Sequence, residues 1–423
     1  MSRVWIRGGR VVDPASGTEG LGDVYAVDGK LAPVPRGTMV ADDVIDARGC
    51  VVVPGLIDMH VHLREPGHEE AETIASGALA AVAGGFTTVA CMPNTQPALD
   101  NEAAAEYVFL QAARAGAANV LPIGAVTKGR KGEELAEIGQ LAREGAVAFS
   151  DDGSPIMNAE IMRRGLEYAA MFGKPIIDHC EDCHLVGDGV MHEGLVSTTL
   201  GLPGWPGVAE DVMVARDILL AEMTGGHVHI AHISTARSVE LVREGKARGV
   251  RVTAEVTPHH LTLTDEAVRS FDPVYRMNPP LRTAADVAAC RAGLVDGTID
   301  CVASDHAPHA PETKACPFPE APFGVIGLES TVPVLVTDLL RAGVLDLRTL
   351  VLRLTVGPAH VLGLAKGTLA VGADADVTVL DLDHEFTLDP ATFRSKSRNC
   401  PFAGRRLFGR VVATMVGGRV FRF

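Results

Sequence analysis

Nowhere in this 423-residue chain do about 18 apolar residues run uninterrupted, the length a membrane-crossing helix requires. The opening stretch MSRVWIRGGRVVD also lacks the apolar core of a secretory signal, so a cytoplasmic location is expected. Cations are in the minority: 38 Lys and Arg against 53 Asp and Glu leave a formal net charge of −15. That deficit argues against nucleic acid or an anionic membrane as the principal partner, since both need clustered basic residues. An anionic metabolite can still be bound, but only through individually placed cations. The eight cysteines follow no framework spacing, which in a reducing compartment means free thiols, mostly buried. Low-complexity tracts and long runs of like charge are missing as well.

What the chain does contain is alternation. From residue 56 onward, short apolar, β-branched runs exchange with longer Ala-rich amphipathic stretches. The strand candidates are LIDMHVH (56–62), FTTVACM (86–92), NVLPIGAV (119–126), GAVAFS (145–150), KPIIDH (174–179), HVHIAHI (227–233), VRVTAEV (250–256) and TIDCVAS (298–304). Helical stretches follow, among them EEAETIASGALAAVAGG, NEAAAEYVFLQAARAG and SVELVREGKARG. Eight such units predict an α/β fold, a (β/α)8 barrel over residues 55–365. The two ends read instead as short strands with tight turns, including an Asp28-Gly29 hairpin signal. Because they flank the barrel, residues 1–54 and 366–423 are expected to build one small β domain together.

Barrel active sites lie at the C-terminal ends of the strands, and polar residues concentrate there. In the first strand Asp58, His60 and His62 share one parity, which points both histidines into the mouth, close enough to chelate one ion. Two histidines satisfied by ordinary hydrogen bonds are the bland alternative. SDD (150–152), His179, His232 and Asp305 stand at the same height on other strands. Singly, each aspartate reads as well as a helix cap; together they suggest a metal site. The stretch HCEDCH (179–184) admits a haem attachment, a redox or zinc CxxC, or one metal-binding histidine beside idle thiols. Glu181 and Asp182 would raise a neighbouring thiol pKa, which speaks against the redox reading.

The stretches PGLIDMHVHLREPG, ACMPNTQP, SDDG, DHCED, HISTARS, TAEVTPHHL, MNPPLR, ASDHAPH and APFGVIGLE occur in this order. Together they resemble the class I dihydroorotases of the amidohydrolase superfamily. The resemblance implies one or two zinc ions, held by His60 and His62 with Asp305 on one side and His179 with His232 on the other. Asp152 would bridge them, with Asp151 as the weaker candidate. Many relatives bridge with a carboxylated lysine, but the segment AVAFSDDG contains none. Cys180 and Cys183 are then idle thiols.

The activity implied is zinc-dependent hydrolysis of a cyclic amide, interconverting L-dihydroorotate and N-carbamoyl-L-aspartate in pyrimidine synthesis. Metal ions would acidify a water and polarise the ring carbonyl, while Asp305 would shuttle the proton. Both molecules carry a carboxylate, for which Arg64 is the placed cation. By resemblance Asn94, Asn278, His309 and the Phe323-Gly324 backbone complete the substrate site. His259, His260 and His306 read as satisfied core histidines. The long segment 306–324 is a candidate lid. Hydantoinases and allantoinases share the fold and chemistry and are the nearest alternative. A non-catalytic partner of aspartate transcarbamoylase is the alternative from another class, and an active enzyme within such a complex is compatible with both. A homodimer is the expected oligomer.

Overall fold

The computed structural model describes residues 2–36 and 40–423. Seven of the eight expected runs form strands: Leu56–Val61, Phe86–Cys91, Asn119–Pro122, Ile176–Asp178, Val228–Ile230, Val252–Val256 and Cys301–Val302. They pair in parallel, in chain order. The run 145–150 forms no regular strand; Phe149 alone bridges Gly124 on one side and Ile176 on the other. A parallel bridge between Val61 and His306 joins the last segment to the first, so the pairing closes on itself. The strands are shorter than the sequence suggests because the chain leaves the ladder on reaching its polar residues. Asp305, for instance, has φ 47°, which no strand accommodates.

Helices follow where the amphipathic stretches predict them: Ile74–Ala83, Glu102–Ala115 and Ala236–Ala247. Thr73, Asn101 and Thr235 cap them, each side-chain oxygen accepting a backbone N–H of the first turn, a contribution of about 1 kcal/mol each. Val89, Val120, Ile230 and Val256 pack outward with the helices in one large apolar cluster. A second cluster, including Met59, Ala90, Ile177 and Cys301, fills the interior of the ring. Strict alternation places Met59 outside with Val61. It lies inside because the register slips between Asp58 and Val61, so Met59 joins both histidines on the inner side.

Strands from both ends of the chain share one eight-stranded sheet. Val51–Pro54 is the junction, pairing parallel with Arg3–Asp13 and antiparallel with Val377–Thr387. The Asp28-Gly29 signal is a tight turn between Thr18–Val27 and Lys30–Ala32, with φ of 48° and 80° at its two residues. Those are the left-handed values a two-residue hairpin needs. Among the described residues no helix is long and apolar enough to cross a membrane.

Candidate active site

At the C-terminal ends of the ring strands the structure brings together all six residues expected to hold metal. His60 Nε2 lies 3.5 Å from both Asp152 Oδ2 and Asp305 Oδ1. His62 Nε2 lies 3.0 Å from Asp305 Oδ1 and 3.5 Å from Asp152 Oδ2. On the other side of Asp152, its Oδ1 faces His179 Nδ1 at 3.5 Å and His232 Nε2 at 3.6 Å. Asp152 therefore stands between two pairs of imidazoles. Asp151 points elsewhere: its carboxylate accepts the backbone N–H of Val126 and Thr127 and the Thr127 hydroxyl. Arg130 donates to the Asp152 carbonyl at 2.6 Å and to Ser154 Oγ at 3.0 Å, fixing the turn that separates the two aspartates.

This cluster is built for positive charge. His60 Nε2 and Asp152 Oδ1 are buried without a hydrogen-bond partner, a costly arrangement unless something else occupies the space between them. Burial opposes charging His60, yet Asp152 and Glu255 outweigh it and raise its pKa well above the ordinary value. His179 rises to about 10 against the same burial, through Asp152 and Glu181. The Asp152 carboxyl, despite burial, is held well below the carboxylate range by His60, His179 and His232. The carboxylates that favour protonated imidazoles would equally favour a dication, which would take the place of those protons. Histidine nitrogens and carboxylate oxygens are the donor set zinc takes, so the residues fit a metal.

The lone pairs are aimed as coordination demands. His179 Nε2 lies 2.8 Å from Glu181 Oε2, an acceptor, so the proton sits there and Nδ1 turns toward Asp152 and His232. Glu181 Oε2 also accepts from Asn278 Nδ2 at 2.8 Å, which ties that asparagine to the cluster. His60 Nδ1 lies 2.5 Å from Glu255 Oε1. The backbone at the site is held in an unusual region: Arg64, His232 and Asp305 have φ of 62°, 29° and 47°, half of the six non-glycine residues with positive φ among the described residues.

A cavity of about 280 Å³ opens over the cluster and is lined by every residue expected to contact substrate. Arg64 donates through Nε to the Pro308 carbonyl at 3.0 Å and forms no ion pair with a carboxylate among the described residues. Burial lowers its pKa to about 10, and it stays charged at neutral pH. Asn94 Oδ1 lies 2.8 Å from His62 Nδ1, leaving its amide group toward the cavity. His309 Nε2 donates to the Phe323 carbonyl at 2.6 Å; burial and Arg64 lower its pKa to about 3, so it is neutral. Gly324 has φ 123°, and a Cβ there would come within 2.7 Å of the Ala307 side chain. The segment 306–324 is strapped down: Lys314 donates to the Pro273 and Arg276 carbonyls at 3.1 Å each, and Arg276 donates back to those of Pro319 and Ala321.

The remaining histidines divide. His260 lies between Thr257 and the Pro279 carbonyl, and His306 between Glu72 and the Gly327 N–H, both satisfied as expected. His259 departs from that expectation, because its Nε2 is buried with no partner. Cys180 is buried 3.7 Å from Asp178 and 3.6 Å from Asp217, and burial followed by those carboxylates pushes its thiol pKa up. Cys183 is exposed and free. Sequence reasoning missed Glu181, Arg130 and Glu255 as parts of the site. For Glu255 a signal existed: a charge inside the apolar run VRVTAEV is almost never buried unless paired.

A family model described as dihydro-orotase-like matches residues 49–238, and one described as amidohydrolase family matches residues 214–422. A dihydroorotase of Pelotomaculum thermopropionicum is 59% identical over 419 residues, covering 99% of this chain and 98% of that one. A dihydroorotase of Anaeromyxobacter dehalogenans is 56% identical over 421 residues, with 99% and 97% covered. Among solved structures, the L-hydantoinase (dihydropyrimidinase) of Arthrobacter aurescens superposes with a TM-score of 0.87 at 27% identity, covering 99% of this chain and 96% of that one. With that identity over nearly the full length of both chains, this chain belongs to the dihydroorotase family of the amidohydrolases.

Proposed function

We propose that the protein is a class I, zinc-dependent dihydroorotase that interconverts L-dihydroorotate and N-carbamoyl-L-aspartate. On this reading residues 55–365 are a (β/α)8 barrel, and residues 1–54 with 366–423 are a composite β domain. His60, His62 and Asp305 would hold one zinc, His179 and His232 a second, with Asp152 between them. The metal supplies Lewis acidity, which acidifies water and polarises a carbonyl.

The chain's own groups do the rest. Arg64 pairs with the substrate carboxylate, since its guanidinium is charged and, among the described residues, has no acid partner. Asn94 and the unpartnered Asn278 Oδ1 offer one donor and one acceptor to the ring amides. Asp305 starts ionised: burial would raise it, but His60 and His62 keep its carboxyl below the usual range. It can therefore take the proton of the attacking water and hand it to the departing ring nitrogen, and do the reverse on cyclisation. The observation that carries this reading is an unpaired arginine facing the six-residue cluster across one small cavity.

The hydantoinase fold match supports a second reading, hydrolysis of a neutral cyclic amide, which gives Arg64 nothing to bind. The test is turnover of dihydroorotate, N-carbamoyl-L-aspartate, hydantoin and allantoin by zinc-loaded protein, alongside Arg64→Met. We expect turnover of the first pair only, with kcat/KM falling on the order of 10²-fold in the variant, as for loss of one partner of a buried charge pair. Hydrolysis of hydantoin or allantoin, unaffected by Arg64→Met, would favour the second reading. Silence on all four would point to a structural or partner-dependent subunit of an aspartate transcarbamoylase assembly. The dihydroorotase reading also places the protein in the cytoplasm, as a homodimer or in complex with that transcarbamoylase; sizing with and without it tests the assembly.

A further inference from the structure

Beneath the cluster, a line of polar groups, buried at Glu255 and His229 and half-buried at Thr253 and His227, crosses the ring toward its opposite face. Glu255, fully buried on the strand Val252–Val256, places Oε1 2.5 Å from His60 Nδ1 and 3.4 Å from the His232 backbone N–H. Its Oε2 lies 3.3 Å from Nε2 of His229, also fully buried, an ion-pair distance at which neither atom completes a hydrogen bond. His229 Nδ1 lies 2.8 Å from Thr253 Oγ1, and the same hydroxyl lies 2.8 Å from His227 Nε2. His227 sits just before the strand Val228–Ile230, at the end of the ring opposite His232.

Proton counting fixes the direction of this chain. Glu255 accepts the His232 backbone N–H and turns an oxygen toward an imidazole nitrogen on each side, the surroundings of a carboxylate acceptor. A carboxylate only accepts, so His60 must present N–H at Nδ1 and His229 N–H at Nε2. With its proton at Nε2, His229 has a lone pair at Nδ1, which takes the single hydroxyl proton of Thr253. The Thr253 oxygen in turn accepts from Nε2–H of His227, which burial lowers to a pKa of about 3 and keeps neutral. Every donor along the line then points toward Glu255, through three hydrogen bonds and the His229–Glu255 ion-pair contact.

We propose that Glu255, backed by the His229–Thr253–His227 line, is the positioning carboxylate of the metal centre. It locks His60 as the Nδ1–H tautomer, presents its Nε2 lone pair to the ion, and anchors the His232 backbone with the same oxygen. This rests on the metal-centre reading above. A glutamine cannot replace Glu255, because the amide that accepts from His60 must turn its own N–H toward His229 Nε2–H.

The test is zinc affinity of the apo-protein, by competition with a chromophoric chelator, for wild type, Glu255→Gln and Thr253→Val, with the visible spectrum of each Co²⁺-loaded form. Glu255→Gln should bind zinc about 10- to 100-fold more weakly, shift the Co²⁺ bands, and lower kcat with KM unchanged. Thr253→Val, which removes one hydroxyl at nearly constant shape, should weaken zinc binding severalfold. Wild-type zinc affinity and an unaltered Co²⁺ spectrum in Glu255→Gln, with only a lower melting temperature, would overturn the inference. If that variant fails to fold, wild-type affinity in Thr253→Val overturns it. Failure of the wild type to bind zinc would overturn the metal centre itself, and this inference with it.

Discussion

The mouth of the ring and the terminal sheet treat charge in opposite ways. At the mouth, His60 and Glu255 are wholly buried and Asp152 nearly so, and some of their polar atoms find no protein partner. The sheet core is Val4, Ile6, Ile45, Val52, Val377 and similar residues; most of its charges are paired at the surface, as in Arg7–Asp46 and Arg10–Glu19, and its buried Asp13 accepts from the Ser16 and Thr368 hydroxyls and the Leu369 N–H. Desolvating an ion costs several kcal/mol unless the surroundings compensate, whereas burying an aliphatic side chain stabilises by about 1.5–3 kcal/mol. The two regions therefore divide the work: the sheet supplies stability, and the mouth carries a local cost that a bound cation would relieve.

The sharpest way to break that contrast is to change one residue in each region and read both activity and stability. Asp305→Asn keeps the shape of the side chain but removes the carboxylate proposed as proton acceptor and metal ligand. Turnover should fall about 10³- to 10⁴-fold, the scale of general acid–base catalysis together with the metal contact, as measured by steady-state assay on the zinc-loaded protein. Ile6→Ala in the sheet should do the reverse. It leaves a cavity beside Val24 and Ile45, costing about 3 kcal/mol, which a denaturant melt detects, while kcat/KM of the folded fraction stays at the wild-type value. An activity loss in Ile6→Ala at a temperature where the variant is fully folded would show that the sheet does more than stabilise.

The sequence displayed the mouth better than its supports. His60, His62, the aspartate pair of SDDG, His179, His232 and Asp305 are visible because a strand-end position is a local property that periodicity reveals. The Asp28-Gly29 turn is visible for the same reason, since two adjacent residues determine it. What stayed hidden depends on distant partners. Asp151 and Asp152 are indistinguishable as neighbours in SDDG, and they separate only when the Val126 and Thr127 amides claim the first. Glu255 meets His60 across 195 positions of chain. The inward turn of Met59 depends on a register slip that alternation cannot anticipate. The run 145–150 reads as a strand, yet only Phe149 bridges its neighbours, because the following backbone turns to present the two aspartates.

The smallest effect belongs to the surface of the sheet, where the contrast can be sharpened by a change that ought to do nothing. The Arg48 guanidinium lies 2.5 Å from Asp46 and holds that carboxyl well below the ordinary range. A carboxylate lowered in the folded state adds stability above its unfolded pKa of roughly 3.9 and loses it as the pH falls through the folded value. Any contribution of this pair would therefore be fully present at pH 7. Yet both side chains are exposed, Arg48 at 74% and Asp46 at 38%, so water and salt screen the attraction and ordering two free side chains offsets the rest. Arg48→Ala should move the melting temperature by less than about 1 °C at pH 7 and physiological salt. A larger drop at pH 7 that vanishes in strong acid would mean the sheet, like the mouth, draws stability from charge, and the division between the two regions would no longer hold.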